Sequence, residues 1–349
     1  MKRGLPPVKI LVLTLTGRCN FACRYCYASG QDESDLSEDD ALAALHMAGE
    51  GGERFILQFS GGEPLLMFPL IRKIVKETEK AGYPAQMQIQ TNGALLTRPI
   101  ARWLYDHNVG IGLSLDGKPA VNDRQRISRD GESAAAAAAR GFTALRDEGI
   151  ACGLTCVVTS ENIRRLSSIA DMAYFFGNVR QIGFDILREQ GRGMAMKAPG
   201  PAEMEKALSQ VEQRLALFEG LTGQKVALTQ AARPMEIARS GCHDFPQCYA
   251  MRGEAVYVDV HGGLYACSSL MGNPDFCIGS AQLGRDPEAV QKAAERIQNA
   301  MAECRSCPYF ARCGGGCFSR WYRKDHNVRK SGAECAMKQY FIEAAQRRQ

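Results

Sequence analysis

The chain has 349 residues, 45% of them hydrophobic and 23% charged, with a formal net charge of +5. These are ordinary globular proportions and exclude a fibrous or largely disordered protein. The number out of line is 14 cysteines, and a chain of this length is no small disulfide scaffold, so spacing has to decide between disulfides, metal ligands and buried thiols.

In chain order, residues 8–16 are apolar and β-branched and predict a buried strand. Lys2 and Arg3 ahead of this run superficially suggest an export signal. Pro6 and Pro7 interrupt it, and no small-residue cleavage site follows. No apolar stretch reaches the roughly 18 residues of a membrane span, so a soluble, cytoplasmic protein is expected. Ser37 and the acidic run Glu38-Asp39-Asp40 open a helix reaching about Ala48. Strands are predicted at 55–59, 86–90, 109–115, 152–159 and 181–187, and helices at 68–81, 98–107, 133–148 and 162–176. Six β–α units in a row imply parallel strands with right-handed crossovers. Six rather than eight imply an open, partial barrel, with chemistry at the carboxyl ends of its strands.

After Arg188, glycine and proline at 191–193 and 198–201 mark a boundary. A helix is expected at 202–218, and a hairpin at 256–267 turning at His261-Gly262-Gly263. The expected organisation is a barrel at 1–190, a bridging helical region at 191–240 and a cysteine-rich module at 241–349.

Eleven of the 14 cysteines fall at close spacing, and in a chain without an export signal these read as metal ligands. Cys19, Cys23 and Cys26 directly follow the first strand. Three thiolates in eight residues suit one edge of an iron–sulfur cluster, leaving one iron open. A zinc knuckle with a distant fourth ligand is the other reading of these residues. Gly61-Gly62-Glu63 ends the second strand, offering close backbone approach and a carboxylate for a ligand ammonium. Ser114 and Asp116 end the fourth strand, where alternate residues on one face would reach the same ligand. Each motif alone is weak, but their order on successive β–α units is specific. Cys152 and Cys156 share a strand face and read as buried thiols, while Cys277 reads as a loop residue.

Cys19-x3-Cys23-x2-Cys26 with its aromatic Tyr25, then Gly61-Gly62-Glu63 and Ser114-x-Asp116, resembles the radical S-adenosylmethionine (SAM) superfamily over about residues 8–190. The resemblance implies that Cys19, Cys23 and Cys26 hold a [4Fe–4S] cluster whose open iron binds SAM. It implies that Gly61, Gly62 and Glu63 meet the methionine ammonium, Ser114 and Asp116 the ribose, and Tyr25 the adenine. Arg188 is a candidate for the methionine carboxylate. From about 240 the cysteine pattern is similar to the SPASM extension. This implies one auxiliary cluster on Cys242, Cys248, Cys267 and Cys317 and another on Cys304, Cys307, Cys313 and Cys335, with two zinc sites as the other reading. Residues 304–349 carry 10 Lys+Arg against 3 Asp+Glu. Three clusters with their thiolates would add about −2, −2 and −1 and bring +5 to about zero, so the basic excess reads as compensation rather than nucleic-acid binding.

The fold expected is therefore α/β: a partial (β/α)6 barrel with a C-terminal cysteine-rich extension. The activity implied is reductive SAM cleavage to a 5′-deoxyadenosyl radical that modifies a peptide or protein by crosslinking, oxidation or epimerisation. Implied partners are a flavodoxin- or ferredoxin-type electron donor and a separate leader-peptide-binding protein. Radical chemistry on a small molecule such as a tetrapyrrole is the alternative. Ser268, after Cys267, stands where sulfatase maturases typically carry an aspartate, which speaks against formylglycine formation.

Overall fold

The computed structural model describes residues 4–28, 30, 32–239, 245–322 and 328–347. The first two-thirds alternates strands and helices: β1 (Ile10–Thr14), α1 (Glu38–Gly49), β2 (Phe55–Ser60), α2 (Phe68–Lys80), β3 (Ala85–Thr91), α3 (Arg98–Asp106), β4 (Gly110–Ser114), α4 (Pro119–Gln125), α5 (Ala134–Asp147), β5 (Cys152–Val158), α6 (Ser168–Phe176) and β6 (Val179–Ile186). Local chemistry starts several of these helices. Ser37 caps α1 by accepting from the Asp40 N–H at 3.0 Å, and three acidic residues follow it in the first turn. Ser133 caps the alanine-rich α5 in the same way through the Ala136 N–H, 3.0 Å. The helix expected from 162 begins at Ser168 instead. Asn162 is turned inward, accepting from the Thr159 N–H and donating to the Val157 carbonyl, so it closes the loop after β5. The short α4 has no counterpart among the expected elements.

β1 to β6 lie side by side in sequence order, every neighbour parallel. This is the partial barrel expected from six consecutive units. Their helix-facing residues, among them Leu13, Phe59, Leu113, Leu154 and Phe184, are buried.

Beyond the barrel come α7 (Pro201–Thr222), β7 (Ala227–Leu228), α8 (Thr229–Arg239), β8 (Ala255–Val258), β9 (Gly263–Tyr265), β10 (Cys277–Ser280), β11 (Gly284–Arg285), α9 (Pro287–Ala300), the single turns α10 (Phe310–Cys313) and α11 (Phe318–Trp321), and α12 (Gly332–Arg347). The expected hairpin is present as antiparallel β8–β9, and β8 also pairs parallel with β1. With β7 on the far side of β6, the strands form one 11-stranded sheet in the order β11-β10-β9-β8-β1-β2-β3-β4-β5-β6-β7. Trp321 and Phe341 from the C-terminal third belong to the same buried core as Leu13 and Phe59. No helix among the described residues is long and apolar enough to cross a membrane.

Candidate active site

At the carboxyl ends of the barrel strands lies a cavity of about 480 Å³. Cys19, Cys23, Tyr25 and Cys26 from the loop after β1 line it, with Gly61, Gly62 and Glu63 after β2, Ser114 at the end of β4 and Arg188 after β6. The structure thus brings every radical-site residue singled out in the sequence except Asp116 to one cavity wall.

The two glycines approach the protein's own backbone. Gly62 N–H donates to the Thr16 carbonyl at 2.7 Å and Glu63 N–H to the Arg18 carbonyl at 2.9 Å. A Cβ at Gly62 would stand 2.1 Å from the Arg18 oxygen, and Gly61 has φ +147°. The pair therefore clamps the segment leading into Cys19. Glu63 is buried. Its Oε1 accepts from Thr91 Oγ1 at 2.6 Å and the Leu65 N–H at 3.1 Å, and its Oε2 from the Asn92 N–H at 2.9 Å. Burial raises its pKa against the pull of these donors. A carboxylate has about four lone-pair sites, so Oε2 retains capacity for a ligand cation.

Ser114 faces the cavity, its Oγ accepting from Gln90 Nε2 at 2.9 Å. Asp116 corrects the expectation that both residues reach one ligand. β4 ends at Ser114, so the alternation of faces does not carry to position 116. The Asp116 carboxylate is buried and already fully engaged. It accepts from Tyr25 Oη at 2.6 Å, Arg126 Nε at 2.9 Å and Nη2 at 3.2 Å, and the Val157 N–H at 2.9 Å. It is a scaffold group that fixes Tyr25 and Arg126. The Arg126 guanidinium lies 5.4 Å from the Tyr25 ring centre, lines the cavity, and lowers the pKa of the Cys23 thiol against the larger effect of burial. In the sequence Arg126 closes the run Asn122-Asp123-x-x-Arg126 that follows Asp116, a pattern that resembles the peptide-acting branch but gives the arginine no role.

Arg188 is also held internally. Nη1 pairs with Asp185 at 2.6 Å, Nε donates to Ser319 Oγ at 3.1 Å, and the guanidinium lies 5.0 Å from the Tyr27 ring centre. Asp185, Tyr27, Tyr257 and Ser268 complete this side of the cavity; of these only Ser268, the residue after Cys267, stands out in the sequence. Burial would push Asp185 up, but Arg188 and Arg320 outweigh it and hold the carboxyl at about 2.

Cys304, Cys307, Cys313 and Cys335 line a single small void in the C-terminal third. Cys248, Cys267 and Cys317 form another group. Burial, then the neighbouring Cys317, pushes the Cys248 thiol up to about 12 and Cys267 to about 11. Cys242, the fourth member expected here, and His243 beside it lie outside the described residues. Glu334 stands between the two groups: both its oxygens accept from the Cys317 N–H at 3.1 Å, and it also bonds Arg320 Nη1 at 2.8 Å and Trp321 Nε1 at 3.3 Å. Cys152 and Cys156 face the helix side of the barrel and are buried, as expected. Cys277 opens β10 rather than sitting in a loop.

The donor chemistry fits iron–sulfur clusters. Burial pushes the Cys19 and Cys335 thiols up to about 12, and a bound metal would have to displace those protons to make thiolate ligands. No three His, Cys, Asp or Glu side chains among the described residues converge as one metal ion requires. A cubane makes no such demand, because each thiolate takes a different iron.

The sequence pattern of the Radical SAM superfamily matches residues 13–173. The chain is 30% identical over 275 residues to the uncharacterized protein MJ0907 of Methanocaldococcus jannaschii, covering 78% of this chain and 88% of that one. It is 33% identical over 191 residues to the Fe-coproporphyrin III synthase of Methanosarcina barkeri, covering 54% and 46%. It is 27% identical over 337 residues to the serine-type anaerobic sulfatase-maturating enzyme of Klebsiella aerogenes, covering 90% and 80%. Among solved structures, native anSMEcpe with bound AdoMet and Kp18Cys peptide superposes with a TM-score of 0.79 at 21% identity, covering 98% of each chain.

Proposed function

The chain belongs to the radical SAM superfamily, and from that premise we propose that it modifies a peptide or protein substrate. The observation that carries the catalytic part is the convergence of Cys19, Cys23 and Cys26 with Gly61, Gly62, Glu63 and Ser114 on one cavity at the strand carboxyl ends. Bound there, a [4Fe–4S] cluster and SAM would supply a 5′-deoxyadenosyl radical able to take a hydrogen atom from substrate. This chain's residues bind and orient. Glu63 Oε2 offers a buried acceptor for the methionine ammonium. The Ser114 hydroxyl can donate to the ribose while accepting from Gln90. Tyr25, its hydroxyl tied down by Asp116, presents a fixed ring for the adenine. Arg188 offers a guanidinium for the methionine carboxylate in competition with Asp185. We assign residues 1–190 to the radical barrel, 191–240 to a bridging region and 241–349 to an auxiliary-cluster module.

In that module Cys304, Cys307, Cys313 and Cys335 would hold one further [4Fe–4S] cluster. Cys248, Cys267 and Cys317, with Cys242, would hold another. The shared void of the first set and the mutual influence of the second support this. The peptide reading is supported by a sulfatase-maturating relative that matches nearly the whole chain, module included. An electron donor of flavodoxin or ferredoxin type, and a separate leader-binding protein, belong to the same reading. The second reading, a tetrapyrrole-like substrate, is favoured by the likeness to Fe-coproporphyrin III synthase, which covers 54% of this chain.

The test begins with anaerobic reconstitution and assay of iron and sulfide. About 12 irons per chain are expected from three clusters; stoichiometric zinc with little iron would sink the assignment. Replacing Cys19, Cys23 and Cys26 together by alanine should abolish 5′-deoxyadenosine formation from SAM and dithionite. Mass spectrometry of candidate peptides and of iron-coproporphyrin after incubation then separates the two substrate readings.

A further inference from the structure

Beneath the cavity the barrel interior is a second void of about 310 Å³, which shares Gln58, Gln90 and Thr155 with the cavity above it. Its composition is unusual for its place. A parallel barrel with both faces covered normally fills its interior with branched aliphatic side chains. Here Gln58, Gln86, Gln88, Gln90 and Gln181 line it, and no Asp, Glu, Lys, Arg or His does. Glycines stand opposite three of these glutamines in the sheet register: Gly110 beside Gln88, Gly112 beside Gln90 and Gly153 beside Gln181. A Cβ at Gly112 would lie 2.5 Å from Gln90 Oε1. Gly112, and less tightly Gly153 at 3.2 Å from Gln181 Nε2, thus leave room for carboxamides where a side chain would crowd them. Gln58, Gln88 and Gln90 are half-buried and Gln86 and Gln181 exposed, so these carboxamides line a hollow that opens at the amino ends of the strands rather than a packed core.

The hydrogen bonds show what is left over. Gln90 donates to Ser114 Oγ and accepts from Thr155 Oγ1 at 3.1 Å, which fixes it across β4. Gln88 Nε2 donates to Gln58 Oε1 at 3.1 Å. That pair has one carboxamide donor and one carboxamide acceptor to spare, whichever way the two amides are turned. A donor beside an acceptor is the complement of another amide.

We infer that the barrel interior is a binding site for an uncharged amide group of the substrate, a carboxamide side chain or a peptide unit, held by Gln58 and Gln88 beneath the radical's cavity. The inference rests on the peptide reading above and narrows it. A carboxylate would find no cation there to receive it. An alkyl group would offer neither donor nor acceptor to the half-buried pair.

The experiment uses the reconstituted full-length protein with SAM and three probes, N-acetylated and C-amidated Gly-Gln-Gly, Gly-Glu-Gly and Gly-Met-Gly, titrated anaerobically by calorimetry. The glutamine peptide should bind at least about tenfold more tightly than either of the others. In Gln88→Leu that preference should disappear. Gln58→Leu is the second variant should the first fail to fold by circular dichroism. Equal binding of the three peptides, or a preference unchanged in a folded variant, would overturn the assignment and leave the peptide reading standing. Binding of none of them to a protein that still cleaves SAM would likewise overturn the assignment, the peptide reading being decided separately by mass spectrometry of candidate peptides.

Discussion

Ser114 and Asp116 lie two residues apart and do different work, and the difference is measurable. Asp116 is wholly buried against Arg126, itself 8% exposed at its side chain. Removing one member of a buried ion pair leaves the other charge unpaired and costs roughly 3–5 kcal/mol. Asp116→Ala is expected to fall in that range by denaturant unfolding, whereas Ser114→Ala, which loses a single hydrogen bond, should cost about 0.5–1.5 kcal/mol. SAM affinity should respond in the opposite order among folded variants: Ser114→Ala weakens binding directly, while Asp116→Asn acts only through Tyr25 and Arg126. A stable Asp116→Ala protein would refute the scaffold role. At this scale the sequence is legible in residue types and order but not in orientation. Cys19, Gly62 and Glu63 can be named from their spacing. Nothing in that spacing says that β4 stops at Ser114, which is what turns Asp116 away from the cavity. Arg126 and Asp185 are each defined by a partner remote from them in sequence or outside their own strand, and single-sequence periodicity carries no such pairing.

The C-terminal elements are held to the barrel by a chain of buried charge. Arg188 pairs with Asp185 at the end of β6, Asp185 with Arg320 Nη2 at 2.6 Å, and Arg320 with Glu334 at the start of α12. Burial opposes ionisation of Glu334, but Lys338 and Arg320 outweigh it and keep the carboxyl below the usual range. Because Glu334 also receives the Cys317 N–H and precedes Cys335, its loss should disturb both auxiliary cysteine groups together. Glu334→Ala is expected to lower iron after reconstitution from about 12 toward about 4 per chain, with 5′-deoxyadenosine formation retained in whatever fraction folds. Iron that stays near 12 would show that α12 does not organise these sites. Asp185 adds a pH test. Its folded value of about 2 lies below the usual 3.9 or so of a free aspartate, so its ion pairs add stability above about pH 4, lost as pH falls toward 2. Asp185→Asn should flatten the acid limb of the stability curve in that window; an unchanged limb would mean that the pairs contribute nothing net. The barrel elements are legible because each carries its own period, and α1 and α5 a capping serine as well. α8, α9 and α12 are not, because cysteine and glycine around them obscure a helical spacing that is nonetheless present, as in the buried series Val290, Ala293, Ala294 and Ile297.

Besides these charges, a strand edge joins the two parts of the molecule. β1 pairs with β2 on one side and, parallel, with β8 on the other, although some 240 residues separate β1 from β8 in the chain. Lys9 and Ile10 N–H groups both reach the Glu254 carbonyl, at 2.8 and 3.3 Å. Composition can suggest a boundary near 190 but cannot show that the chain returns to complete the sheet beside its first strand, since that pairing has no local signature. The consequence is that the barrel depends on the C-terminal third. A chain ending at Arg239 would leave the β1 edge, with Leu11 and Leu13 on its helix side, unpaired. It would also strip Val256, Trp321 and Phe341 from the common core. An open, apolar edge strand is a template for pairing with another copy. The truncated protein is therefore expected to be recovered as aggregates or soluble oligomers by size-exclusion chromatography with light scattering, even when its three barrel cysteines are loaded with iron. A monomeric fragment of residues 1–239 that binds SAM with full-length affinity would show instead that the barrel closes without β8, and that the shared sheet is an accessory of the C-terminal third rather than a condition for folding the first.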